Sequence, residues 1–326
     1  MKIGVGYPQG LDPAAALALV EQVDRAGLDS VWIAENPYWP GAFATAGAVA
    51  ARSSRVEIGI GVVSAFTRSP AVLAMEAGQV QRLSGGRLVL GLGVGGPRVL
   101  EDLGIGVARP VDAIEETLVV LRALFGEGIT AHEGAVHRLR DVRLSFPVAA
   151  PPLVVGTIGP RMLAMSAAAA DGIVISAHVP PAEIERIARD HRAAERTGRR
   201  GRVTAFVAAA LDDDPALARA RLKADVAATM VRLLRIPSLL PVLTAGELTL
   251  ADLEEAAACA RDGRPDDVAD RVVDELCLAG DLAAVTTRLE RLAAAGVDEV
   301  VLLQAAEHPG FTAHAAGLAD RAHALR

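Results

Sequence analysis

The sequence is poor in the residues that mark several common classes of protein. Of its 326 residues only two are cysteines, Cys259 and Cys277, and only 3% are aromatic. Two cysteines cannot build a disulfide framework, and neither has Cys or His neighbours at metal-ligand spacing. We therefore expect two buried or half-buried thiols. Alanine, valine and leucine should form the core, because 52% of the chain is hydrophobic.

Positive charge is also scarce, and the formal net charge is -7. The basic residues are scattered except for one run, Arg196, Arg199, Arg200 and Arg202, which we interpret as a solvated helix end or a grip on an acidic tail. This balance argues against a nucleic-acid partner, which needs a field of Lys and Arg. No apolar run reaches ~18 residues without a charge, glycine or proline. We therefore expect a soluble, cytoplasmic protein that does not contact membranes.

Short β-branched segments alternate with longer helical patterns along the whole chain. Each of the eight strands is separated from the next by a helical pattern, so every crossover is long enough for a βαβ unit. The predicted fold class is therefore α/β, a (β/α)8 TIM barrel with insertions. The predicted strands are 2–6, 30–34, 56–63, 88–92, 153–156, 172–176, 203–211 and 299–303.

The chain is longer than a plain barrel of this class, which needs about 250 residues. Alternation of apolar and polar residues over 131–146 predicts a small hairpin insertion. The stretch 215–280 is predicted to be a helical insertion that acts as a lid or wall. No low-complexity linker separates either segment from the rest. We therefore predict a single barrel domain over 1–326.

Polar residues follow the second predicted strand, at the end where barrel enzymes keep their chemistry. Glu35 is a candidate general acid or base, or a partner for a ring nitrogen or a substrate amine, and Asn36 stands beside it. The alternative is that both residues cap the following turn, with Pro37 fixing its shape.

The third strand runs into the segment GIGVVSAFTRSP. It combines Gly61 with the apolar residue Val62 and then the hydroxyl of Ser64, and such backbone can lie against a flat ring because glycine has no side chain. The alternative is that Gly59 and Gly61 only relieve crowding in a narrow barrel, and that Ser69 only caps the next helix.

The fourth strand ends in GLGVGGP, which contains Gly93, Val94 and Gly95. A glycine-rich loop here would expose backbone N–H groups to a ring or a phosphate. A tight turn without a ligand is the alternative.

The fifth strand ends in GTIGPRM. Gly156 and Thr157 leave the strand, and Gly159, Pro160 and Arg161 begin a helix. A helix N-terminus beside a hydroxyl and an arginine suits a phosphate, because unpaired N–H groups and the helix dipole favour an anion. An ordinary proline-started helix is the alternative.

The histidines do not form a set with metal-ligand spacing, and we predict no metal site. His178 follows the sixth strand in ISAHVPP, at the predicted catalytic face, and is a candidate to touch substrate. A solvated loop histidine is the alternative.

Four segments taken together resemble one known family. They are GLDSVWIAEN (27–36), TRSPAVLAME (67–76), LSGGRLVLGLGVG (83–95) and ADGIVIS (170–176). The set is similar to the bacterial luciferase-like flavin superfamily, and most resembles its deazaflavin-dependent branch, typified by methylenetetrahydromethanopterin reductase. The resemblance covers nearly the whole chain. It implies a (β/α)8 barrel that binds coenzyme F420, or alternatively FMN, across the carboxyl ends of the strands.

The same resemblance implies positions for the cofactor. A cis peptide bond without proline would fall at Gly61–Val62, in a bulge that backs the ring. Many relatives carry a histidine where this chain has Asn36, which leaves the proton donor and the substrate open. The implied cofactor residues are Gly61, Val62, Ser64, Gly93, Val94 and Gly95 near the ring or ribityl chain, and Gly156, Thr157, Gly159, Pro160 and Arg161 at the phosphate.

The implied mechanism is hydride transfer between C5 of the deazaflavin and an electrophilic carbon in a C=N or activated C=C bond of a small organic substrate. Glu35, Asn36 and His178 are the candidates for substrate polarisation or proton delivery. An FMN-dependent monooxygenase and a non-catalytic flavin-binding barrel remain as alternatives. Since relatives are often dimers, we expect a homodimer.

Overall fold

The computed structural model describes residues 1–36, 38–126, 129–195, 200–304 and 310–323. The strands in this part of the chain are β1 (Lys2–Gly6), β2 (Ser30–Ile33), β3 (Glu57–Ser64), β4 (Leu88–Gly93), β5 (Ile129–Glu133), β6 (Arg138–Arg143), β7 (Leu153–Gly156), β8 (Gly172–Ile175), β9 (Arg202–Leu211), β10 (Leu278–Gly280) and β11 (Glu299–Gln304). The helices are α1 (Pro13–Arg25), α2 (Ala42–Arg52), α3 (Pro70–Leu83), α4 (Pro97–Asp102), α5 (Pro110–Gly126), α6 (Pro160–Ala169), α7 (Pro181–Ala194), α8 (Pro215–Leu233), α9 (Leu240–Leu243), α10 (Leu250–Arg261), α11 (Asp270–Leu276), α12 (Leu282–Ala294) and α13 (Phe311–His323).

The alternation of parallel strands and helices confirms the predicted (β/α)8 fold class. The eight strands that carry it are β1 to β4, β7 to β9 and β11, and each is followed by a helix. Sequence reasoning missed the short elements α4, α11 and β10 and the C-terminal helix α13. The first three have only six, seven and three residues, too few for a clear periodic pattern.

Local turn chemistry sets the starts of α1 and α3. The Asp12 carboxylate accepts from the N–H groups of Ala14 at 2.9 Å and Ala15 at 3.3 Å. The Ser69 hydroxyl accepts from the Ala71 N–H at 3.3 Å, which confirms that Ser69 caps α3. Each cap satisfies N–H groups that have no partner within the helix.

One compact unit consists of residues 6–174 and 194–202. Within it β2, β3, β4, β7 and β8 lie side by side in that order, all parallel. The antiparallel pair β5 and β6 forms a hairpin in the same unit. A Cβ atom on Gly59 would lie 2.1 Å from the Trp32 ring, so Gly59 is needed to make room for the indole.

The second compact unit consists of residues 1–5, 175–193 and 203–326, where described. Its strands follow the order β10, β9, β11, β1. Helices α8, α10 and α11 share an apolar core, in which Leu222, Val226 and Leu253 are fully buried. Cys259 and Cys277 are both free and buried in this core, as predicted. The single-domain arrangement stays a prediction.

The basic run is not a uniformly solvated helix end. Arg196 and Arg199 lie outside the described residues. Arg202 begins β9, and its guanidinium lies 2.9 Å from the Glu57 carboxylate and 5.9 Å from the centre of the Trp32 ring. The solvated interpretation is therefore wrong for Arg202, because an ion pair and an aromatic face hold it.

Among the described residues, no single helix has the length and hydropathy to cross a membrane. Two consecutive helical segments, Pro215–Leu233 and Pro237–Leu243, are together long and apolar enough to cross a membrane, but they are bent by 118° relative to each other.

Candidate active site

The carboxyl end of β3 is irregular. Ile58 and Ile60 pair in register with Leu88 and Leu90 of β4, and the register then shifts before Val63 pairs with Leu92. The peptide bond between Gly61 and Val62, inside this irregular stretch, is cis. The cis bond implied by the family resemblance is thus confirmed.

The Val62 side chain lies against glycines of β4 and β7. A Cβ atom on Gly93 would lie 2.5 Å from Val62 Cγ2, and one on Gly91 or on Gly156 would lie 2.9 Å from Cγ1. Real Cβ atoms do not approach that closely, so these positions need glycine. The carboxyl ends of β3, β4 and β7 consequently form a face built from one valine and glycine backbone.

The Ser64 hydroxyl joins the loops that follow β3 and β4. It donates to the Val94 carbonyl at 2.6 Å and accepts from the Phe66 N–H at 3.1 Å. Gly95 has a φ of +98°, and a Cβ atom there would lie 3.1 Å from Ser64 Oγ. Ser64 therefore holds the loops in place, and its predicted contact with a cofactor stays a prediction.

The turn between β7 and α6 leaves a helix start open. Gly159 is the N-cap of α6 and offers no side-chain acceptor, and Pro160 occupies the first helical turn. Gly159, Pro160 and Arg161 are exposed, and a Cβ atom on Gly159 would meet nothing within 4 Å. The N–H groups of the first turn, unlike those of α1 and α3, have no side-chain cap. Such a start fits an anion.

Glu35 is held in a two-pronged ion pair. The Arg68 guanidinium donates to Glu35 Oε1 at 2.5 Å and to Oε2 at 2.9 Å. Its Nε lies 3.1 Å from a Glu76 carboxylate oxygen, and its carbon lies 5.5 Å from the centre of the Phe43 ring. The hydrogen bonds that Arg68 donates to Glu35 raise the pKa of Arg68, while burial raises the pKa of Glu76. The Glu35 side chain is 10% exposed, and each of its carboxylate oxygens accepts a hydrogen bond from Arg68.

Asn36 lies in a tight turn. Its carbonyl accepts from the Trp39 N–H at 3.0 Å, and the residue is half-buried. Pro37, which we expected to fix the shape of this turn, lies outside the described residues.

His178 belongs to the unit that contains β1, β9 and β11. Its Nε2 lies 2.9 Å from Asp225 Oδ2, on α8, and the residue is 6% exposed. The solvated alternative is therefore wrong. His178 also has a φ of +62°, unusual for a residue other than glycine.

Sequence reasoning named Glu35 and His178 but not the partners that fix them. Arg68 lies 33 positions from Glu35, and Asp225 lies 47 positions from His178. No local pattern connects residues so far apart. Of the predicted site residues, all except His178 belong to the same compact unit, at or after the carboxyl ends of β2, β3, β4 and β7.

A family model, related sequences and a solved structure are similar to this chain over most of its length. The model of the luciferase-like monooxygenase family matches residues 1–299. A 5,10-methylenetetrahydromethanopterin reductase of Archaeoglobus fulgidus is 25% identical over 307 residues, covering 92% of each chain. The enzyme of the same name from Methanolobus tindarius is 28% identical over 213 residues, 64% of this chain and 65% of that relative. The solved structure of a coenzyme F420-dependent tetrahydromethanopterin reductase from Methanopyrus kandleri matches with a TM-score of 0.83 and 20% identity, over 98% of this chain and 97% of that chain.

Proposed function

Since the chain belongs to the luciferase-like monooxygenase family, we propose that it is an oxidoreductase that uses coenzyme F420. The reaction is transfer of a hydride between C5 of this deazaflavin and an electrophilic carbon of a small organic substrate, in a C=N or activated C=C bond. Two relatives whose names include F420 support this choice: a putative coenzyme F420-dependent oxidoreductase of Mycobacterium tuberculosis, 28% identical, and an F420-dependent glucose-6-phosphate dehydrogenase of Amycolatopsis mediterranei, 29% identical.

One observation carries the proposal. The valine and glycine face at the ends of β3, β4 and β7 lies in the same unit as the uncapped start of α6, which directly follows β7. A flat apolar face suits a planar ring, and a helix start with free N–H groups suits a phosphate. The residues present therefore fit a cofactor that has both parts.

The chain's own residues bind and orient in this proposal. Arg161, Thr157 and the first N–H groups of α6 would hold the phosphate, while Val62, Gly93 and Gly95 would border the ring. Bound F420 supplies the hydride chemistry. The protein contributes proximity and exclusion of water.

Proton exchange is assigned to His178 rather than to Glu35. A carboxylate only accepts hydrogen bonds, so the Nε2–H of His178 donates to Asp225. Glu35 is paired with Arg68, and we propose that this pair holds the loop after β2. We propose that Asn36 polarises the substrate.

Titration with F420 and with FMN, followed by absorbance and fluorescence, tests the cofactor. We expect micromolar or tighter binding of F420. Arg161→Ala should weaken it by about 10- to 100-fold, because a hydrogen bond to a charged group contributes about 1.5–3 kcal/mol. Arg140→Ala, at an exposed arginine on β6, is the matched control and should bind normally. Tight FMN binding with no response to F420 would overturn the proposal.

The family description supports one other activity, an FMN-dependent monooxygenase. That activity would couple oxidation of reduced FMN by oxygen to turnover of substrate, a reaction to which a 5-deazaflavin is poorly suited. A non-catalytic flavin-binding barrel would instead bind cofactor without any substrate-dependent spectral change.

A further inference from the structure

Large apolar side chains are exposed in the two loops that follow β2 and β4. Tyr38 is 72% exposed and Trp39 is 51% exposed, and both follow β2. Leu103 and Val107, which follow β4, are 44% and 42% exposed. The whole chain has two tryptophans and two tyrosines, so half of them lie in this one turn. Leaving such side chains in water is unfavourable, and exposed apolar clusters often mark binding sites.

The two loops flank the proposed cofactor face. In the sheet β3 lies between β2 and β4. The loops that follow β2 and β4 therefore leave the sheet on either side of the strand that carries Gly61 and Val62. Substrate must approach the ring in this region, because in this fold class the loops after the strands build the active site.

The aromatic turn has a defined conformation. Tyr38 has a φ of +81°, in the left-handed region that residues other than glycine rarely adopt. The N–H of Trp39 closes the turn on the Asn36 carbonyl at 3.0 Å. The side-chain amide of Gln9 donates to the Ala34 carbonyl, just before the turn. An unfavourable backbone held by such contacts is typical of ligand-binding segments.

The loop that follows β2 contains no arginine or lysine, and the arginines of the loops that follow β3 and β4 lie beside carboxylates. Arg98 lies 3.9 Å from Asp102, Arg109 lies 2.5 Å from Asp112, and Arg68 is held by Glu35. A negatively charged substrate would need a cation free to pair with it. The charge pattern of the loops therefore favours an uncharged ligand.

We propose that Tyr38, Trp39, Leu103 and Val107 form an apolar rim that recognises the substrate, and that the substrate is a neutral, planar, largely apolar molecule. Its flat face stacks on Tyr38 and Trp39, while Leu103 and Val107 cover its other apolar surface. This inference rests on the proposed function for the position of the site and adds to it the class of substrate.

The probes for a test are quinoline, a neutral planar bicycle, and quinoline-3-carboxylate, which has the same rings and a negative charge. Binding of each is measured by calorimetry at neutral pH, with and without saturating F420. We expect quinoline to bind at least tenfold more tightly than the carboxylate. Equal or tighter binding of the carboxylate would overturn the inference.

The double variant Tyr38→Ala/Trp39→Ala should weaken quinoline binding at least tenfold. Leu217→Ala on α8 is the matched control, because Leu217 is 51% exposed but lies outside the rim; it should leave binding unchanged. An equal loss of quinoline affinity in both variants, or no loss in either, would contradict the proposal that the rim binds substrate.

Two further readouts separate the possible failures. F420 affinity should be the same in the wild type and the double variant. If the wild type fails to bind F420, the proposed function is wrong. The quinoline measurements without cofactor still show whether the apolar rim binds a neutral planar molecule. A change in molecular mass of the double variant, measured by light scattering, would show that these residues join copies of the chain and would overturn the inference.

Discussion

A single side chain, Val62, dictates the residue type at three positions of two neighbouring strands. A Cβ atom on Gly91, Gly93 or Gly156 would lie within 3 Å of a Val62 methyl group, and one on Gly91 would also meet the Ile60 carbonyl at 2.5 Å. The glycine-rich end of β4 thus has a packing reason that does not depend on a ligand. The same residues form the face that we propose borders the ring of the cofactor.

Gly93→Ala should destabilise the protein by about 1–3 kcal/mol, because an added methyl group in a filled space forces displacement. The new Cβ would lie 2.5 Å from Val62 Cγ2. Denaturant unfolding measures the free energy. Val62→Ala in the same chain should recover part of the loss.

Gly96→Ala is the control for this series, since its Cβ would lie an ordinary 3.6 Å from Val99 Cγ2 and its φ is -68°. If Gly93→Ala unfolds at the same denaturant concentration as Gly96→Ala, the packing explanation is wrong.

The hydrogen bond between His178 and Asp225 should be visible directly. Proton NMR of the wild type should show a slowly exchanging Nε2–H signal, because this proton is buried and bound to a carboxylate at 2.9 Å. The signal should vanish in His178→Gln and in Asp225→Ala and persist in His132→Gln. A signal that survives Asp225→Ala would mean that another group holds the ring.

At the scale of elements, a half-buried carboxylate on α5 binds the hairpin. Glu116 accepts from the N–H groups of Ala135 at 2.7 Å, Val136 at 3.1 Å and His137 at 2.8 Å. Burial alone would raise the pKa of Glu116, but these donors, with His132, lower it to about 2. Gly134 lies so close that a Cβ atom would meet Glu116 Oε2 at 2.2 Å. Sequence alternation predicted a hairpin but not this attachment.

The attachment gives the hairpin a defined pH dependence. A carboxyl whose folded pKa lies below its unfolded value near 4.5 stabilises the fold above that value, and this stability is lost as pH falls toward 2. Burial also lowers the pKa of His137, so acidification below its ordinary value of 6.5 acts in the same direction.

Glu116→Ala should therefore increase amide hydrogen exchange in β5 and β6 at neutral pH, while β7 keeps its protection. Glu133→Ala, an exposed carboxylate on β5, is the control. Unchanged exchange in the hairpin would exclude Glu116 as its anchor.

At the scale of the whole molecule, the outer face of α3 is the best candidate for contact between copies. Met75 and Leu83 are 51% and 53% exposed, and Val72 is 41% exposed. These residues are apolar, and their burial would remove surface from water. The homodimer that we propose could be built on this face.

Met75→Glu/Leu83→Glu should halve the molecular mass measured by light scattering, because burying charges in an interface is strongly unfavourable. Leu217→Glu/Leu250→Glu introduces the same charges at exposed positions on α8 and α10 and should leave the mass unchanged. A wild type that is already monomeric would refute the proposed dimer.

Much of the fold could be predicted from sequence because its signals are local. Strand β7 begins and ends where the pattern of β-branched residues placed it, and helix α3 begins directly after the predicted cap Ser69. The family resemblance located the cis bond at Gly61–Val62, which periodicity alone could not have done. Short elements such as β10 were missed, because three residues carry too little pattern.

The sequence by itself determined the order of strands and helices, the fold class and the segments that carry the candidate chemistry, since periodicity and turn residues act within a few positions. Only the tertiary structure decided what those residues do to one another. It pairs Glu35 with Arg68 and His178 with Asp225, and it packs the glycines of β4 and β7 against Val62. These partners are far apart in the chain, and their meeting depends on how the strands are placed side by side, which no local pattern encodes.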